Sequence, residues 1–140
     1  MCGYMNKLEI KFLRLAERVA ISSKHPSFKV GAVVAEKAIL IASSANEIKS
    51  HPFQKRMNVY RFPDDDTCKH FLHAEISALL KAKRLRKNLN NAILFVVRQD
   101  GNGHLANARP CPACSKVIAM LGIHTIIYST YQGFVKEVLK

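Results

Sequence analysis

Residues 92–97, Ala92-Ile93-Leu94-Phe95-Val96-Val97, are the strongest strand signal in the chain, six apolar residues in succession. A strand with one face in water alternates apolar and polar residues, whereas a continuous apolar run suits a strand covered on both faces. The segments around it supply that cover. Leu8, Phe12, Leu15 and Val19 fall at helical spacing, which predicts an amphipathic helix from Asn6 to about Ser23, broken by His25-Pro26. A second helix is expected from about His73 to Arg86, with Ile76, Leu79 and Leu80 on one face and Ala78, Ala82 and Leu85 on another side. A third runs over Pro110 to Leu121, with Cys114, Val117, Ile118 and Leu121 on one side and Gly122 placed to cap it.

Two further apolar runs, residues 30–35 and 38–42, suit buried strands joined by a tight turn at Glu36-Lys37. Thr125 to Ser129 is another strand. Between them, residues 43–72 have no clear period and carry His51-Pro52, Phe62-Pro63 and three successive aspartates, so they read as a long loop, as does Gly101 to Arg109. Eleven residues follow Ser129, and Phe134 to Leu139 would either turn back as an antiparallel strand or form a short helix. The order argues for an α/β fold: a three-layer α/β/α sandwich around a mixed five-stranded sheet, with residues 1–140 as one domain.

Composition bounds the class. With 49% apolar and 23% charged residues the chain is too rich for disorder, and no apolar run approaches membrane-spanning length. The first residues lack a secretory apolar stretch, and two of the four cysteines stand as Cys-x-x-Cys, so a reducing cytoplasm is expected. The formal charge of +12 favours phosphate-bearing partners, a nucleotide or a nucleic acid, although a surface kept basic for solubility accounts for it too.

The chemistry lies in two clusters, His73-Ala74-Glu75 and Pro110-Cys111-Pro112-Ala113-Cys114, each at an expected helix start. A Cys-x-x-Cys pair at a helix N-terminus directs both sulfurs to one point, where the dipole favours thiolates. Thiolate and imidazole suit Zn²⁺, and His73, Cys111 and Cys114 supply three of its four ligands, leaving one position for water. Glu75, in the first helical turn, is placed to take a proton from that water and hand it to a leaving amine. Either cluster alone is weak evidence. Together, in this order and 38 positions apart, they match the His-x-Glu and Pro-Cys-x-x-Cys signature of zinc deaminases of bases.

The sequence resembles the cytidine and deoxycytidylate deaminase superfamily over nearly its whole length. Val30-Gly31-Ala32-Val33-Val34 resembles the family's first strand, and Leu121-Gly122-Ile123 with Ile126-Ile127-Tyr128 its passage into the fourth. The resemblance implies zinc ligation by His73, Cys111 and Cys114, proton shuttling by Glu75, and substrate contact by Asn46 and by Ala74 and Pro110 inside the motifs. It also implies an oligomer whose subunits complete one another's pockets. Cys68, five residues before His73, resembles a cysteine that in some deoxycytidylate deaminases joins a second zinc site; His70, His51 or His25 would have to complete it here, and a free thiol is the simpler expectation. With Cys68 or His70 as fourth ligand, the zinc site would instead be non-catalytic.

Substrate preference stays divided. Lys24, His25, Lys49, His51, Lys55 and Arg56 flank the expected pocket as phosphate contacts, while Phe53, Tyr60 and Phe62 could stack on a base. The charge favours a phosphorylated substrate. The short tail resembles the branch acting on small molecules and counts against a transfer-RNA or single-strand enzyme, because a parallel crossover takes a dozen or more residues. A deoxycytidylate- or cytidine-like substrate is expected, with adenosine or cytidine in nucleic acid as the alternative.

Overall fold

The computed structural model describes residues 5–61 and 71–139. The expectations for Phe62, Cys68 and His70 therefore lie outside the described residues. Six strands form one mixed sheet: β1 (Lys29–Glu36), β2 (Ile39–Ala45), β3 (Ile93–Gln99), β4 (Leu105–Ala106), β5 (Thr125–Thr130) and β6 (Gly133–Val138). The five longer ones lie in the order β2-β1-β3-β5-β6, and two-residue β4 pairs with the end of β3. Only β3 and β5 are parallel; the other pairs are antiparallel.

Both faces of the central strands are covered, as the apolar run predicts. Phe95 and Val97 of β3 and Val33 and Ala35 of β1 pack on Phe12, Leu13 and Ala16 of helix α1 (Lys7–Ile21). The alternate residues, Leu94 and Val96 of β3 with Ala32 and Val34 of β1, pack on α3 (Ala74–Leu85) and α4 (Pro112–Met120). Helix α1 begins at a capping box: Asn6 accepts from the Glu9 N–H and the Glu9 carboxylate accepts from the Asn6 N–H. Gly31 lets α1 lie directly on β1, since a Cβ there would collide with the Ala16 carbonyl oxygen and the Ala20 nitrogen.

Helix α4 ends in a Schellman motif, with Gly122 at φ 77°, its N–H on the Ala119 carbonyl and the Ile123 N–H on that of Ile118. The chain then enters β5 beside β3.

Sequence expectations change at the turn, at β2 and in the presumed loops, where β4 also falls, and the tail takes one of its two expected forms. The turn is at residues 37–38, with Lys37 at φ 54°, one position later than expected. β2 is an edge strand and not a buried one: Ile39 and Leu40 are exposed, Ala42 and Ser44 face inward, and the strand continues past the apolar run to Ala45. The presumed loop 43–72 contains a short helix, α2 (Pro52–Met57), continued by a 3₁₀ turn at Asn58–Tyr60. His51-Pro52 starts that helix instead of breaking structure, because proline fits the first helical position and His51 Nδ1 accepts from the Phe53 N–H. The tail is the antiparallel strand, pairing Tyr128 with Val135.

Candidate active site

The N-termini of α3 and α4 meet on one side of the sheet. His73 is the N-cap of α3 and Cys111 that of α4, so each donor sits where its helix leaves backbone N–H groups unpaired. His73 Nδ1 lies 3.4 Å from Cys114 Sγ and 3.6 Å from Cys111 Sγ, and all three donor atoms fall within 4.8 Å of one another. A tetrahedral zinc with ordinary Zn–S and Zn–N lengths separates its sulfur and nitrogen ligands by roughly 3.6 Å. The donor set fits zinc in type and spacing.

The two sulfurs differ in protonation. Cys111 is drawn down to about 4, chiefly by the hydrogen bond from the Cys114 thiol, with further help from His73 and the Cys114 backbone N–H. Cys114, fully buried and the donor in that bond, is pushed up. A metal binding both sulfurs as thiolates would displace any proton that they hold. Glu75 is buried beside them; burial raises its carboxyl above the ordinary range, and the neighbouring Cys111 thiolate adds to the effect. A carboxyl so placed holds a proton more readily than one in water.

The site opens into a cavity of about 310 Å³ with His73, Ala74, Glu75 and Cys111 in its wall. Asn46 lines it as well, and much of its amide is spent on the fold. Its Oδ1 accepts from Val30 N–H at 2.9 Å and Ser23 Oγ at 2.6 Å, and its Nδ2 donates to the Phe28 carbonyl. One N–H of the amide is left for a ligand.

The sequence of the cytidine and deoxycytidylate deaminase zinc-binding region matches residues 6–130. The chain belongs to this deaminase family. None of the curated proteins matches the sequence. Among solved structures, the deoxycytidylate deaminase of cyanophage S-TIM5 superposes with a TM-score of 0.58 at 23% identity, over 89% of this chain and 84% of that one. Cytidine deaminase from Burkholderia pseudomallei gives 0.65 at 16% identity, over 96% and 93%. A transfer-RNA adenosine-34 deaminase gives 0.50 at 23% identity, over 85% and 74%. At these identities the likeness is one of fold.

Several residues of this deaminase fall elsewhere than the sequence suggests. Pro110 is buried but does not line the cavity. Lys24 is exposed and outside it, and His51 is occupied as the cap of α2. Of the six basic residues read as phosphate contacts, His25 alone lines the wall. Phe53 packs against the core and Tyr60 lies under Lys116, so the aromatic rings at the cavity are those of Phe28 and Phe71.

Other contributors have little sequence signal. Gln54, fully buried in α2, accepts from the His73 N–H at 3.0 Å and braces that residue's backbone. Its proline-led helix start was the available clue. Arg61, Arg98 and Arg109 line the cavity, and Arg61 Nη1 lies 2.9 Å from His73 Nε2. Arg109 pairs with Glu137 of β6, which also accepts from the Tyr128 hydroxyl, tying the segment before Cys111 to the last strand. Among the described residues no helix is long and apolar enough to cross a membrane.

Proposed function

We propose that this deaminase hydrolyses the exocyclic amine of cytosine in a small nucleoside or nucleotide, with zinc held by His73, Cys111 and Cys114. The observation that carries this reading is the placement of Glu75. Its buried carboxyl stands beside both sulfurs, on the wall of a cavity suited in size to a small ligand.

Zinc at these three residues supplies Lewis acidity that makes water a nucleophile at neutral pH. Glu75 takes a proton from the attacking water and places it on the ring nitrogen beside the carbon, then carries the second water proton from the new hydroxyl to the amine. The water oxygen bonds to the ring carbon, the carbon–nitrogen bond breaks, and ammonia leaves. A buried carboxyl with a raised affinity for protons serves both transfers. The Nδ2 of Asn46 has one N–H free to hold the sugar or the base, and Ala74 contributes to the wall.

The antiparallel β6 supports a small substrate, because it resembles the branch that acts on free nucleosides and related small molecules. The +12 charge supports the second reading, a polynucleotide enzyme. Incubating the zinc-loaded protein with cytidine, deoxycytidine, their monophosphates and a transfer-RNA stem-loop, followed by absorbance, separates the two. Turnover of the small cytosine compounds is expected. Turnover of the stem-loop alone would favour the second reading, and an unchanged panel would overturn both.

A further inference from the structure

Strand alternation puts Arg98 on the same face of β3 as Leu94 and Val96, opposite Val30 of β1, where an apolar residue would continue the core. The arginine instead reaches the cavity and stacks on Phe28, its guanidinium 4.5 Å from the ring centroid. Its Nε is buried without a hydrogen-bond partner, and no carboxylate pairs with it among the described residues. Leaving a buried guanidinium N–H unmatched is costly unless a ligand satisfies it. By contrast, Arg109 already has Glu137, and Arg61 faces His73.

His25 stacks on the same phenylalanine, with ring centroids 4.2 Å apart. Its Nδ1 accepts from the N–H groups of Ser27 and Phe28, so the remaining ring donor is the Nε2 N–H. Burial, and then the charge of Arg98, lower its affinity for a second proton. Phe28 thus holds a fixed cation and a neutral N–H donor in one wall of the cavity. That pairing is complementary to a phosphate, which accepts in several directions and takes guanidinium well.

We infer that Arg98 and His25, held on Phe28, form a phosphate subsite that makes nucleoside monophosphates the preferred substrates. The inference rests on the proposed cytosine deaminase reading, since it takes the base to lie at Glu75. The phosphate is either the terminal one of a mononucleotide or an internal one of an oligonucleotide; the cavity's size favours the former.

The test compares kcat/KM for deoxycytidine monophosphate, deoxycytidine and a short cytosine-containing single strand, using wild type, Arg98→Gln and Arg98→Lys in zinc-loaded form. Wild type should prefer the monophosphate. Arg98→Gln should lower the monophosphate-to-nucleoside ratio by about tenfold or more, the scale of a charge-assisted hydrogen bond, and Arg98→Lys should lower it less. Because the ratio is taken within each variant, partial misfolding cancels. An unchanged ratio in Arg98→Gln, or a wild type that prefers the nucleoside, overturns the subsite. A preference for the single strand that Arg98→Gln removes would assign it to an internal phosphate and overturn the mononucleotide form. Calorimetric titration of the Glu75→Ala protein with deoxycytidine monophosphate reads binding without turnover. If wild type deaminates none of the three compounds and affinity is still lost on adding Arg98→Gln, the subsite stands and the deaminase reading falls; affinity unaltered would sink the subsite.

Discussion

The two faces of the sheet are built from the same strands and differ in what their helices do. On the α1 face, Phe12, Leu13 and Ala16 pack on Val33 and Phe95, and the helix runs along β1 at a distance only Gly31 permits. On the opposite face, α3 and α4 also bury apolar residues, but their N-termini converge so that His73, Cys111 and Cys114 meet. Apart from the Glu9–Lys136 pair, packing explains the first face. The second carries four groups that packing does not need: an imidazole, two thiols and a buried carboxyl. Removing a group from the site face should therefore cost chemistry, whereas crowding the α1 face should cost stability.

The largest effect is expected at the metal. Cys114→Ser should lose bound zinc and all turnover, with a lower melting temperature because metal binding free energy is partly folding free energy. Zinc analysis and calorimetry check this, and full zinc content in the variant would break the contrast. Glu75→Ala should keep zinc and fold while kcat falls by about 10² to 10⁴, the usual share of a general acid–base.

On the other face, Gly31→Val should destabilise by about 3 kcal/mol, near 10 °C in melting temperature, through overpacking against α1. Its folded fraction should retain the zinc content of wild type. A collapse of zinc binding at a temperature where it remains folded would show that the two faces are not separable.

The smallest effect belongs to Glu9 at the start of α1. Burial tends to raise its affinity for a proton, but the hydrogen bond from Lys136 at 2.7 Å and the Asn6 N–H prevail and hold its carboxyl below the usual range. Its stabilisation is therefore present above the ordinary carboxylate range and is lost as pH falls through its lowered value. Glu9→Gln keeps an acceptor for the capping box but loses the charge facing Lys136, so it should cost up to about 1 kcal/mol at pH 7 and less once the wild-type carboxylate is protonated. Denaturant melts at pH 7 and pH 3 check the sign; a penalty that grows on acidification would contradict it.

How much of this was legible in the sequence follows from range. Residues 92–97 announce a doubly covered strand because burial on both faces removes alternation, and α1 announces itself because it has one wet face. The zinc donors were legible since each cluster is local and only their meeting is long-range. Helix α2 was not: six residues give too little periodicity, and only the proline marks its start. Arg98 was missed because it ends an apolar run and reads as the strand's exit, when alternation carries it onto the site face. Lys24 and His51 stand near the cavity residues in sequence but do not line the cavity, because nearness along the chain says nothing about the direction of a side chain.

The most direct test of zinc-dependent hydrolysis is turnover of deoxycytidine monophosphate in oxygen-18 water, with zinc, ammonia and product mass followed on one preparation. The uracil product should carry one solvent oxygen and appear with one ammonia per turnover, and a chelator should stop both until zinc is restored. Product without solvent oxygen, turnover indifferent to zinc removal, or no product from protein holding one zinc per chain would contradict it.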